Sequence, residues 1–274
     1  MMLSNQKSEE GMAFLKMHGA GNDFIMIDIR NKSMDLTPDL VARFCDRHFG
    51  IGADGLLGLT QDGGSLKMHY YNADGFPGSF CGNGGRCFAF FACWLGLVEE
   101  NVPFTFLASD GWHTAHVLSR DRTKANVVLD MQPVRALHPF EKADQVDTGS
   151  PHLVFWPEEA LESFDVTEQG RKWRYHPAFA PKGINVNFAW RMPDETLVMR
   201  TFERGVEAET LACGTGTVAV ALSAFSRYSL PSGTSIAAAG GTLKVDFSFT
   251  AEGFSNIKLT GPAEILFSGQ WKDA

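Results

Sequence analysis

One pattern occurs twice in this chain, and it constrains the fold more than any other feature. The first copy reads Leu66-Lys-Met-His-Tyr-Tyr-Asn-Ala-Asp-Gly75, then Phe80-Cys-Gly-Asn-Gly84, then an apolar stretch over residues 86–97. The second reads Leu197-Val-Met-Arg-Thr-Phe-Glu-Arg-Gly205, then Ala212-Cys-Gly-Thr-Gly216, then an apolar stretch over residues 217–225. Each gives strand, loop, Cys-Gly-x-Gly, helix. Both apolar stretches are apolar nearly all round, which marks a buried helix. Each copy then continues as a hairpin: residues 104–108 and 113–118 flank Asp110-Gly111, and residues 235–239 and 242–249 flank Gly240-Gly241. Upstream, His18 to Phe24 and Ser150 to Phe155 each lead into a strand.

The expected fold is therefore α+β, with two pseudo-symmetric domains. Each is a curved, mostly antiparallel sheet wrapped round a central helix. We expect a disordered leader over residues 1–11 and an N-terminal domain over 12–132, with 263–274 returning to it. A C-terminal domain then covers 133–262, and the site lies in the cleft between the two.

The net charge is −8, which argues against nucleic acid or an anionic membrane as partner, since both need a basic face. No apolar run reaches the roughly 18 residues of a membrane span. The leader has no apolar core and is no secretory signal. Five cysteines, an odd number in a long chain without an export signal, point to reduced thiols in the cytoplasm. Cys81, Cys87 and Cys93 lie six apart, too widely spaced for the usual zinc pairs, so no metal site is expected. Cys45, Cys87 and Cys93 read as packing residues, the usual fate of a free cysteine.

Cys81 and Cys213 are different, because packing does not place a cysteine at the same pre-glycine step twice. Glycine lets a ligand approach the backbone. The free N–H groups of a helix's first turn suit a carboxylate, and the same terminus favours thiolate over thiol. A free thiol is only about 3% ionised at pH 7, and half-ionisation needs roughly 2 kcal/mol. One helix terminus supplies about 0.3–2 kcal/mol, so a single dry turn just suffices. Two such turns facing one pocket repel as thiolates and share one proton. A racemase needs that state, with a base on one face of a carbon and an acid on the other.

The ordered set of motifs resembles the diaminopimelate epimerases over nearly the whole folded chain. Its parts are Lys16 to Phe24, Gly50 to Leu57, Asn72 to Gly75, Cys81 to Gly84 with Arg86-Cys87, Pro151-His152, Asn185-Val186, Glu203 to Gly205, Glu209-Thr210 and Ala212 to Gly216. The resemblance implies interconversion of LL- and meso-2,6-diaminoheptanedioate in lysine and cell-wall precursor synthesis. It implies no pyridoxal phosphate, no other cofactor, no metal, and a homodimer. Cys81 and Cys213 would be the acid/base pair. The backbone at Gly82, Asn83, Gly214 and Thr215 would hold the carboxylate of the reacting centre. Asn22, Asn72, Asn185, Glu203 and Arg204 would hold the amino groups and distal carboxylate of this small diamino dicarboxylate. An arginine fork suits a carboxylate and a glutamate an ammonium. Ser150 and His152 are further candidates, and His18 reads as structural. Phe76 stands where the family usually has serine, and Ser150 where it usually has asparagine. The segment 205–209 is one residue longer than the common spacing.

Three other readings compete. A proline-type racemase of the same fold has no second charged end to engage Glu203-Arg204. A thiol redox protein usually shows Cys-x-x-Cys, absent here. A non-catalytic anion binder leaves two aligned thiols unexplained.

Overall fold

The structure is a computed structural model describing residues 11–30 and 35–272. Apart from Gly11, the expected leader lies outside the described residues. The first half runs β1 (Met12–Gly19), β2 (Asn22–Asp28), α1 (Pro38–Cys45), β3 (Gly55–Asp62), β4 (Ser65–Asn72), α2 (Gly82–Trp94), β5 (Phe104–Ala108), β6 (Gly111–Arg120) and β7 (Lys124–Asp130). The second runs β8 (His138–Phe140), β9 (Ala143–Asp147), β10 (Pro151–Phe155), α3 (Val166–Arg174), β11 (Asn185–Arg191), β12 (Leu197–Glu203), β13 (Ala208–Thr210), α4 (Gly214–Tyr228), β14 (Thr234–Ala238), β15 (Gly241–Thr250) and β16 (Gly253–Trp271). From β9 onward the order repeats that of β1 to β7, with β13 added.

The strand pairings repeat as well. Most are antiparallel, but β2–β3 and β4–β5 are parallel, and so are their counterparts β10–β11 and β12–β14. A parallel pair needs a crossover, usually a helix, whereas a hairpin needs only a turn. The helices α1, α2, α3 and α4 are these four crossovers. Each hairpin turns on a glycine at positive φ, Gly111 at +131° and Gly241 at +145°, a region other residues avoid.

The expected central helices are present. They extend beyond the apolar stretches, because each begins at the glycine after its cysteine. Every residue of α2 from Gly82 to Cys93 is buried, and α4 is buried from Gly214 to Ala224 except for Thr215. Phe88 and Phe90 on α2 pack with Phe24, Phe106 and Leu129, and Val218 to Leu222 on α4 with Met199, Ile236 and Leu259. Burial of each such side chain contributes about 1.5–3 kcal/mol.

The halves differ in closure. Residues 253–260 of β16 pair with β15; residues 261–264 pair with β7, and the strand then runs along β1 from Glu264 to Trp271. The first sheet is thereby a closed eight-stranded ring around α2. The second stays open and ends at β8, three residues long with Pro139 in its middle, the kind of edge that resists further pairing. Among the described residues, no helix is long and apolar enough to cross a membrane.

Candidate active site

Cys81 and Cys213 are the N-cap residues of α2 and α4, with nearly identical backbones: φ −118°, ψ 123° and φ −121°, ψ 114°. Neither side chain caps its own helix. Both sulfurs are thus spared the usual N-cap duty, and all five cysteines are free thiols. The two helix starts touch. A Cβ built on Gly214 would lie 3.8 Å from the Cα of Gly82, and one on Gly82 4.0 Å from the Cα of Gly214. This approach brings the first-turn N–H groups of both helices to one place; a side chain at Gly214 would also press on Leu259, 3.0 Å away.

A clasp fixes the two starts. Asn83 donates through Nδ2 to the carbonyl of Ala212 at 3.0 Å, and its Oδ1 accepts from the Arg86 guanidinium at 2.8 Å. Arg86 also donates to the carbonyls of Pro262 on β16 and Gly82. It is fully buried, and among the described residues no carboxylate pairs with it. The sequence puts it at the head of an apolar stretch and in the Arg86-Cys87 motif without assigning it a role; it is a buried cation behind both cysteine turns.

The polar neighbours of the two sulfurs differ. The Cys81 thiol donates to Oδ1 of Asn22 at 3.5 Å, and Nδ2 of Asn22 donates to Asp54 at 2.7 Å. Asp54 also accepts from Arg47, which pairs with Asp23. Cys213 Sγ lies 3.5 Å from Oγ1 of Thr215, which lies 3.0 Å from Nε2 of His152. Asn187 donates to Nδ1 of His152 and to the carbonyl of Leu153, and accepts from Thr201.

The expected acidification of the thiols is corrected: both are pushed above the ordinary thiol range. Burial is the main cause at each sulfur, and the nearby Glu203 carboxylate adds to it. The first-turn N–H groups and, at Cys213, the Thr215 hydroxyl pull the other way and lose. Desolvation of a charge outweighs one helix terminus. Cys45 and Cys87 are pushed up to about 12, with burial the largest cause at each, in keeping with packing roles.

Glu203 sits at the end of β12, where its Oε2 accepts from Thr210 at 3.0 Å, and burial pushes its carboxyl up. The next residue, Arg204, is half-buried, and its guanidinium has no ion pair among the described residues. Asn185 accepts from the Arg204 backbone N–H at 2.9 Å and donates to Ser150 Oγ at 2.8 Å and the Pro151 carbonyl at 3.1 Å. Its amide is fully engaged, so it sets the Arg204 backbone and uses the serine found here at position 150. Asn72 ends β4, and a Cβ built on Gly78 would lie 3.0 Å from its Oδ1. His18 accepts from the Gly21 N–H through Nδ1, a turn contact consistent with a structural role.

Sequence reasoning missed Asp54, Asn187, Arg86 and Tyr70. The Tyr70 hydroxyl is pushed up by burial and then by negative charge at Cys81, Asp54 and Glu203, which places it beside the site. Alternation along β4 was the only sequence signal for it.

His152 is fully buried and its imidazole is held down at about 3, by burial first and then by the Arg204 charge. An unfolded histidine titrates near 6.5. Below about pH 6.5 the unfolded chain binds a proton that the folded one refuses, so folded stability drops as pH falls toward 3. His152→Gln is expected to flatten this loss. Urea unfolding at about pH 7 and pH 4.5 checks it, and an identical pH dependence in both proteins contradicts a buried neutral imidazole.

A family model described as diaminopimelate epimerase matches residues 14–137 and 145–266. The chain belongs to the diaminopimelate epimerase family. The unmatched interval, residues 138–144, holds β8, the strand without a counterpart in the first half. Among relatives of this family, the diaminopimelate epimerase of Flavobacterium psychrophilum is 40% identical over 262 residues, covering 93% of this chain and 98% of the relative. That of Chlorobaculum tepidum is 41% identical over 261 residues, covering 92% and 98%. Solved structures share the family's fold at low identity. A Bacillus anthracis phenazine biosynthesis protein of the PhzF family has TM-score 0.76 at 12% identity, covering 95% of this chain and 99% of that one. A hydroxyproline epimerase from Agrobacterium vitis has TM-score 0.64 at 16% identity, covering 96% and 93%.

Proposed function

We propose that this protein is an isomerase that interconverts LL- and meso-2,6-diaminoheptanedioate without a cofactor, with Cys81 and Cys213 as its two bases. The observation that carries this reading is the pair of matched cysteine N-caps on helix starts that touch at Gly82 and Gly214. Family membership supplies the substrate.

On this reading the α-carboxylate sits against the N–H groups at Gly82-Asn83 and Gly214-Thr215. A thiolate on one face takes the α-proton. As the C–H bond breaks, its electrons pass into the carboxylate, where the oriented N–H groups stabilise the growing charge. The thiol on the other face gives its proton to the carbon, and its S–H bond electrons stay on sulfur. The thiol and thiolate have exchanged places and net charge is unchanged. The high proton affinity of both sulfurs suits this chemistry, because a thiolate formed there is a strong base. Glu203 takes an ammonium and Arg204 the distal carboxylate, with Asn22, Asn72 and Asn185 orienting them. Ser150 acts by holding Asn185, and His152 by holding Thr215.

We assign the domains to 12–132 with 263–274, and to 133–262; the passage of β16 from β15 to β7 supports that division. The reaction belongs to lysine and peptidoglycan precursor synthesis. We place the enzyme in the cytoplasm as a homodimer, which light scattering on the purified protein tests.

The deciding experiment is incubation with the LL substrate in deuterium oxide without added cofactor. Formation of the meso isomer with deuterium gained at one α-carbon is expected. Inversion without deuterium gain, or no inversion, overturns the assignment.

A further inference from the structure

The two sulfurs have equivalent places in the duplicated fold, and first-turn N–H groups face both, but their side-chain partners are of opposite polarity. Around Cys81 the polarity is set from Asp54. A carboxylate accepts and never donates, so the amide nitrogen of Asn22 must face Asp54, as it does at 2.7 Å. That turns Oδ1 of Asn22, an acceptor only, toward Cys81 at 3.5 Å. Nδ2 of Asn83 reaches the same oxygen at 3.5 Å, a long contact that favours the same orientation more weakly than Asp54 does. Arg47 holds Asp54 from the other side at 2.8 Å. An acceptor facing a sulfur stabilises the thiol and repels the thiolate.

Around Cys213 the polarity is set from Asn187. The Leu153 carbonyl, 2.9 Å away, must receive an N–H, so the Asn187 amide nitrogen faces that way and also meets Nδ1 of His152 at 3.0 Å. Nδ1 is then the acceptor, and the imidazole proton resides on Nε2. Nε2–H donates to Thr215 Oγ1 at 3.0 Å, and the Thr215 hydroxyl hydrogen is left to point at Cys213, 3.5 Å away. A donor facing a sulfur stabilises the thiolate.

We propose that Asp54 and Asn187 are positioning residues that break the symmetry of the two-cysteine site. Asp54 acts through Asn22 to keep the proton on Cys81. Asn187 acts through His152 and Thr215 to make Cys213 the sulfur that ionises first. The assignment of the pair as the reacting groups rests on the function proposed above; the polarity itself does not. Other charges face both sulfurs: Glu203 from β12 acts on each, Arg86 from α2 on Cys81, Tyr70 from β4 lies beside Cys81, and negative charge on Cys81 itself pushes Cys213 up, against the effect of the Thr215 donor. These groups are untouched by changes at 54 or 187.

Alkylation by iodoacetamide at about pH 7.5, followed at each cysteine by peptide mass spectrometry, reads thiolate availability without substrate or turnover. A failed epimerase assay therefore leaves this test intact. In Asp54→Asn the new amide can donate to Asn22 Oδ1, which frees the Asn22 nitrogen to face Cys81. The Cys81 rate is expected to rise about fivefold to tenfold, the effect of one hydrogen bond, with the Cys213 rate unchanged. In Asn187→Ala the imidazole tautomer is no longer fixed, and the Cys213 rate is expected to fall by a similar factor with Cys81 unchanged. Thr215→Val removes the same donor directly and serves if Asn187→Ala does not fold. Loosening of the site would speed both cysteines together. Equal changes at both sulfurs, or no change at the named one, overturn the proposal.

Discussion

Cys81→Ser and Cys213→Ser are each expected to lower the epimerisation rate by about 10³-fold or more, in both directions of reaction. A positioned acid or base contributes typically 10²–10⁴-fold. A serine hydroxyl holds its proton far more tightly than a thiol, and burial at these N-caps tightens it further. Each inversion needs one sulfur to take a proton and the other to give one, so neither direction escapes either mutation. The double variant is expected to be little worse than a single one, because residues that act as a unit do not add. Stability should change by no more than about 1 kcal/mol, since neither side chain caps its helix or anchors the clasp. Assays started from each stereoisomer check this. A single variant that keeps near-native turnover from either isomer rules out the two-base scheme.

The largest loss of stability is expected at Arg86. Arg86→Ala should cost about 3–5 kcal/mol in urea unfolding, the range for truncating a large buried side chain. The guanidinium lies fully buried where α2, the first turn of α4 and β16 meet. Its removal leaves a void, with the Pro262 carbonyl and the Asn83 amide oxygen losing their guanidinium donor. Arg86→Met restores volume without the donors and should recover only part of the loss, because buried acceptors left unmade cost about 1–3 kcal/mol each. If Arg86→Ala unfolds within about 1 kcal/mol of the native protein, the clasp is not what joins the two helix starts.

The duplication was legible because its signals are local. Cys-Gly-x-Gly followed by an apolar stretch marks a buried helix start in either copy, and Asp110-Gly111 and Gly240-Gly241 mark the hairpins. The parallel pairs were not legible, since alternation along β2 or β4 says which face is buried and nothing about which distant strand lies alongside. Arg86 was hidden in an apolar run because sequence does not reveal whether a cation leaves the core or finds carbonyls inside it. Asp54, inside the Gly50 to Leu57 motif, had no role assigned and Asn187 was not singled out, for a related reason: their importance depends on which way a neighbouring amide or imidazole is turned. The thiols were misjudged because the helix terminus was weighed and the desolvation of two sulfurs beside Glu203 was not.

The closing of the first ring by β16 also orders events during synthesis. The eight-stranded wall around α2 lacks its last member until residues 261–271 have left the ribosome, after the whole second half. The first half therefore waits, with β1 and β7 both unsatisfied along one side, and the contact that completes it spans nearly the full chain. Pairings between such distant segments form slowly. A chain cut short before Gly261 forfeits more than its own tail: it leaves Arg86 without the Pro262 carbonyl, and the ring around α2 open between β1 and β7.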